Sequence, residues 1–170
     1  DVVFPLYVYE EACRKIVEGE SDMIYPYGDG PWQYRVRATD ALVSDFLNNN
    51  CDLKILQSDS WIDNAGFGWV QFLNRDVYFA GGMENENFMG SAPDDYEREH
   101  RFRTLGYRVD RIDEYICHLE HSRGMNSYPQ SMTQHPYWDQ NWELWEYLEK
   151  CTKEELQEYY SKQPYLEKYK

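Results

Sequence analysis

The chain has no surplus of positive charge. Against 31 Asp and Glu it carries 17 Lys and Arg, a formal net charge of −14, and the basic residues form no run. Nucleic-acid binding draws most of its affinity from phosphates neutralised by Lys and Arg, so no nucleic-acid partner is expected. Long hydrophobic runs are missing too. No apolar stretch approaches the roughly 20 residues that cross a bilayer, and no membrane span is expected. Cysteine is sparse: Cys13, Cys51, Cys117 and Cys151 are scattered, with no Cys-x-x-Cys pair. That spacing argues against zinc knuckles and suits reduced thiols in a cytosolic setting. An initiator methionine is also lacking, and Asp1-Val2-Val3-Phe4-Pro5 reads as the middle or end of a buried strand. The expectation is a piece of a longer polypeptide, with any function that needs two halves of a fold only half represented.

What is present fits one domain, because 170 residues can bury a real core. Pro5 ends the apolar run 2–4, since proline cannot donate to a sheet ladder. Residues 6–18 mix apolar and charged side chains at helical spacing and stop at Gly19. Residues 22–27 read as strand, followed by a turn at Gly28-Asp29-Gly30-Pro31. A helix is predicted over 39–49, capped by Thr39 or Asp40. Residues 67–73 are aromatic and β-branched, hence strand-like, and 74–80 suit a short helix ended by Gly81-Gly82. The clearest helix is 93–105, with proline and acids early, basic residues late and Gly106 just past its end. Strands at 107–112 and 115–118 follow, then a polar loop over 122–135. An aromatic helix is predicted at 141–150 and another from Thr152, where Thr152 and Glu155 form a capping box. Past Gln163 the Lys-rich end reads as frayed. Strands and helices alternate enough to make the class α/β or α+β.

Chemistry concentrates in two places. His118 and His121 lie in Cys117-His118-Leu119-Glu120-His121-Ser122-Arg123-Gly124. Imidazole binds borderline divalent metals, and a nearby carboxylate is either a further ligand or a base. Side chains alternate along a strand, so three-residue spacing aims both rings at one ion only if the chain turns after His118. The ordinary explanation is one buried and one solvated histidine. The second place is Asp94-Asp95. Acids at a helix start are favoured by the macrodipole, which explains the pair without any function. The small, glycine-containing approach Phe88-Met89-Gly90-Ser91-Ala92 leaves room for a ligand and favours a functional role. Gly66-Phe67-Gly68-Trp69 permits close backbone approach, although most glycines beside a strand mark a bend. Trp142, Trp145 and Leu148 form one helical stripe and read as packing.

Taken in order, these pieces resemble the C-terminal half of metal-dependent glycosyltransferases of the GT-A fold, particularly the β-1,4-galactosyltransferase type and related bacterial family-2 enzymes. The resemblance rests on Gly68-Trp69, Gly81-Gly82, Glu84-Asn85-Glu86-Asn87-Phe88, Asp94-Asp95, Arg101, Gly106-Tyr107 and His118-x-x-His121-Ser122-Arg123-Gly124, over about 60 residues. Residues 1–65 fit more loosely, with Asp1 resembling the last acid of an Asp-x-Asp metal motif. One departure is that Ser91-Ala92-Pro93-Asp94-Asp95 stands where the family has Trp-Gly-x-Glu-Asp. The nucleotide-binding half would precede Asp1.

The resemblance implies an α/β fold, the C-terminal portion of a GT-A fold, with a mixed sheet flanked by helices. Residues 1–135 would be the catalytic region and 136–170 a helical extension packed on it. Asp1, His118 and His121 would ligate Mn²⁺ or another divalent cation. Asp95 would be the catalytic base, Asp94 would hold the acceptor sugar, and Gly68, Trp69 and Arg123 would bind substrate. The expected activity is inverting transfer of a sugar, galactose or an N-acetylhexosamine, from a UDP-linked donor to a saccharide hydroxyl. Polysaccharide assembly in the cytoplasm, peripheral to the inner face of a membrane, is the expected setting. One rival is a non-catalytic carbohydrate- or protein-binding module derived from this fold. A second, a hydrolase with a His/Asp metal site, lacks further ligands, because His100 and His135 have no ligand-like spacing.

Overall fold

Short apolar runs broken by Gly, Pro and Asn dictate short elements, and the computed structural model bears this out over residues 1–63, 66–90, 92–121 and 136–169. The protein is α/β, with mixed sheets flanked by helices. It forms two compact units: Asp1–Phe72 with Asp110–Ser122, and Leu73–Val109 with Arg123–Lys170.

The first unit and its joints contain β1 (Val2–Val3), α1 (Leu6–Val17), β2 (Met23–Tyr25), β3 (Gln33–Val36), α2 (Asp40–Asn48), α3 (Leu53–Gln57), β4 (Ser60–Ile62), β5 (Phe72–Leu73), β6 (Val109–Arg111) and β7 (Ile116–Leu119). Pro5 breaks the chain out of β1 and stands at the N-cap of α1, which buries Val8 and Ala12 one turn apart. Thr39 caps α2 by accepting from the Leu42 amide, and Asp52 caps α3 through the Lys54 amide. One sheet runs β1-β7-β3-β4, with β7 and β3 parallel and the outer pairings antiparallel. A smaller sheet runs β5-β2-β6.

Alternation along the four-stranded sheet decides its two faces. Cys117 and Val36 point to one face and pack with Phe46, Leu53 and Leu56 from α2 and α3, joined by Val3, Tyr34 and Leu119. Burial within this apolar layer pushes the Cys117 thiol up to about 12, so it behaves as a small hydrophobe. His118, Glu120 and Arg35 are left for the opposite face.

The second unit contains α4 (Arg75–Ala80), α5 (Asp94–Leu105), α6 (Trp138–Leu148), α7 (Lys153–Ser161) and a 3-10 turn over Pro164–Tyr169. Leu105, Leu148, Cys151, Leu156 and Tyr160 form its core. The Thr152–Glu155 capping box opens α7, and Gly106 ends α5 in a left-handed conformation with φ of 95°.

Several expectations change. The strand expected over 67–73 shrinks to Phe72–Leu73, because Gly66, Gly68 and Trp69 all take positive φ (76°, 93° and 61°) and leave the extended region. Strands β3 and β4 and helix α3 go unanticipated, their three to five residues being too few to establish a period. The tail past Gln163 is ordered as the 3-10 turn, anchored by buried Tyr165. The expected polar loop at 122–135 lies outside the described residues. No helix among the described residues is long and apolar enough to cross a membrane.

Candidate functional site

In the first unit, sheet register brings the metal-type residues together. Val2 in β1 lies opposite His118 in β7, and the Leu119 amide donates to the Asp1 carbonyl at 2.7 Å. The acid that opens the chain is thereby tied to the end of the strand carrying the first histidine. Strand β7 ends at Leu119, and the departing chain turns His121 back towards Asp1. Its Nε2 stands 2.7 Å from Asp1 Oδ2, and Nε2 of His118 stands 4.0 Å from the same oxygen. The two imidazole rings are 5.5 Å apart, tilted by 36°.

Asp1, His118 and His121 each offer one donor atom, and these lie within 4.8 Å of one another. One ion bonded to all three can span that separation. Two nitrogens and a carboxylate oxygen also match a borderline cation rather than a purely oxygen-seeking one. Asp1 and His121 are half exposed, whereas His118 is 8% exposed. A surface ion pair between His121 and Asp1 is the metal-free explanation of their short contact. It leaves open why a buried ring points its Nε2 to the same carboxylate.

Glu120, Arg35 and Asp63, to which the sequence reasoning gave no role, join Trp69 in the cluster around His118. Its Nδ1 lies 2.9 Å from Glu120 Oε1, off the ideal N–H line. Arg35 Nη1 donates to the same Oε1 at 2.8 Å, and Arg35 Nε pairs with Asp63. Arg35 and His118 are register partners on β3 and β7, which places them on one face. The Trp69 indole stands 5.1 Å from the His118 ring, with the Arg35 guanidinium 5.7 Å from it. One sequence signal was available: His118-x-Glu120 at period two on a strand. Arg35 could not be found without the register.

Gly68 and Trp69 sit beside this cluster in a bent segment. The Gly68 carbonyl accepts from the Tyr27 hydroxyl at 2.8 Å, and the Gly66 carbonyl accepts from Arg111 Nη2 at 2.7 Å. Arg111 is itself stacked by Tyr25, Tyr27 and Phe67, at 4.6, 5.4 and 5.3 Å. Trp69 adopts a left-handed backbone at φ 61°, uncommon for a bulky residue and of a kind that clusters at functional sites.

In the second unit, Asp94 and Asp95 open α5, as the sequence suggests. Their surroundings differ. Arg98, one turn on, pairs with both Asp95 and Glu84 and is nearly buried. Burial, followed by repulsion from Asp95, raises the Asp94 carboxyl to about 6. The approach to the pair is clamped by Asn141 of α6, which is fully buried. Its amide donates to the Met89 and Ala92 carbonyls at 3.0 Å each, and its Oδ1 accepts from the Met89 amide at 3.1 Å. Asn141 thus ties down the backbone at Met89 and at Ala92, just ahead of the acid pair.

Arg123 and His135 lie outside the described residues. His100, on α5, packs edge-on against Trp145 at 5.6 Å, a structural role. Compared with protein-family models, curated proteins and solved structures, the chain matches none.

Proposed function

We propose that the protein is a metal-dependent glycosyltransferase of the GT-A type, moving a sugar with inversion from a nucleotide-diphosphate donor to a saccharide hydroxyl. The observation that carries this reading is the convergence of Asp1, His118 and His121 donor atoms at one point of the first unit. Those three residues would hold the cation, and their mixed imidazole and carboxylate set suits Mn²⁺ better than Mg²⁺, which prefers oxygen. When bound, the cation neutralises negative charge on the departing nucleoside diphosphate. Gly68, which lacks a side chain, and Trp69 with its flat ring offer the donor sugar a close backbone and a stacking face. Asp95, fixed by Arg98, takes the acceptor proton as the hydroxyl attacks the anomeric carbon, a transfer typically worth about 10²–10⁴-fold. Asp94 accepts from the acceptor's hydroxyls while ionised. Arg123 completes substrate binding.

His121→Ala should remove Mn²⁺-dependent transfer while leaving the fold intact, read as turnover of UDP-sugars across a manganese titration. Equal turnover of variant and parent at every manganese level would dismiss the ligand assignment. The binding-module alternative draws on the missing Trp-Gly ahead of Asp94-Asp95. It predicts saccharide binding with no turnover of any nucleotide sugar.

A further inference from the structure

Once the three donors of the cation site are assigned, Glu120, Arg35 and Trp69 still lie beside His118. A neutral imidazole carries one N–H, and which nitrogen holds it decides which nitrogen can bind a metal. Nε2 of His118 faces Asp1, whereas Nδ1 faces Glu120 at 2.9 Å. Glu120 cannot swing freely, because its Oε1 also accepts from Arg35 at 2.8 Å. Arg35 is anchored in turn by Asp63. All three of these side chains are about a quarter exposed, so their charges are partly withdrawn from water and their geometry is held.

We infer that Glu120, anchored by Arg35, is a positioning residue that keeps the His118 proton on Nδ1 and leaves the Nε2 lone pair directed at the cation site. The inference rests on the proposed cation site. The Nδ1 to Oε1 separation already lies within hydrogen-bond reach, so only the N–H angle separates the present contact from an aligned bond. Carboxylates behind ligating histidines act in this way generally, fixing ring orientation and raising ligand basicity. Arg35 adds a second effect. By occupying Oε1 it keeps Glu120 from turning to become a direct ligand.

The test compares the parent protein with Glu120→Ala, Glu120→Gln and His121→Ala. One readout is ¹⁵N NMR of the metal-free protein at a pH where the ring is neutral, which reports the His118 tautomer. The other is Mn²⁺ affinity by electron paramagnetic resonance, with circular dichroism monitoring the fold. The parent should show the Nδ1–H tautomer. Glu120→Gln, which retains a carbonyl acceptor, should keep it. Glu120→Ala should lose that preference and weaken Mn²⁺ binding about ten- to a hundred-fold. If Glu120→Ala does not fold, Arg35→Met, which leaves Glu120 unanchored, should show the same two losses in weaker form. An unchanged tautomer and unchanged Mn²⁺ affinity in the variant that folds would overturn the inference. So would a Glu120→Gln protein as impaired as Glu120→Ala, since charge or direct ligation would then be what matters. Should His121→Ala bind Mn²⁺ as the parent does, the cation site itself fails, and the tautomer alone decides the role of Glu120.

Discussion

Asp94 and Asp95 are chain neighbours on the same first helical turn, yet Arg98 pairs directly with Asp95, while on Asp94 its pull is outweighed by burial and by the Asp95 charge. Arg98 neutralises Asp95, whereas burial and the Asp95 charge raise Asp94 to about 6. A carboxyl raised from 3.8 binds its proton more tightly in the folded than in the unfolded state. Stability from this group is therefore greatest below about pH 4 and is lost as pH rises towards 6. The difference corresponds to about 3 kcal/mol at most, at 1.36 kcal/mol per pKa unit. Asp94→Asn should accordingly stabilise the protein at pH 7 and gain little at pH 4, as urea unfolding at the two values would reveal. A gain independent of pH would refute the assignment. On the proposed function the same variant should also weaken acceptor binding, the pattern expected where stability is given up for function. Asp95→Asn should bind donor normally and lose about 10²-fold or more in transfer. Unchanged turnover would remove Asp95 from the chemistry.

Helix α5 is held by charge inside an apolar unit. Arg101 is fully buried, lies 3.1 Å from Glu97, and donates to the Gly81 and Met83 carbonyls at 2.5 and 2.7 Å. Tyr160 of α7 closes the set: its hydroxyl donates to Glu97 at 2.5 Å and its ring lies 4.3 Å from the Arg101 guanidinium. Burial raises the proton affinity of Glu97, so losing the tyrosine hydroxyl exposes an already costly charge. Tyr160→Phe should cost about 1–3 kcal/mol of unfolding free energy. Gly82→Ala should cost at least as much, since φ is 92° and a Cβ there would meet the Tyr160 ring at 2.4 Å. Thermal melts that leave both variants unchanged would contradict this packing. The sequence announced elements whose signals are local: the capping box of α7, the acids and Gly106 bounding α5, the Pro5 boundary of α1. It announced the cation-type residues as well, because His118 and His121 share one short segment. It did not announce β3: Gln33-Tyr34-Arg35-Val36 alternates polar and apolar over only four residues, too short to stand out, and its pairing with β7 spans more than 80 residues. Arg35 and Asp63, and the anchoring of Glu120, stayed hidden for that reason.

Across the full chain, the charge of −14 sets how the protein responds to salt. Like charges repel in the compact state, and the exposed ion pairs that salt also weakens are individually worth at most about 1 kcal/mol. Shortening the Debye length from about 30 Å at 0.01 M salt to about 8 Å at 0.15 M should therefore raise Tm. A Tm that falls would mean attractive pairs outweigh the repulsion. A divalent cation at Asp1, His118 and His121 would relieve the same repulsion locally, and a ligand that binds only the folded state stabilises it further. The most direct measurement is anomalous diffraction at the manganese edge from crystals soaked in MnCl₂. A single strong peak bonded to Asp1 Oδ2 and to Nε2 of both His118 and His121 is the result expected. A map with no peak there, while the Asp1–His121 contact persists unchanged, would contradict the account.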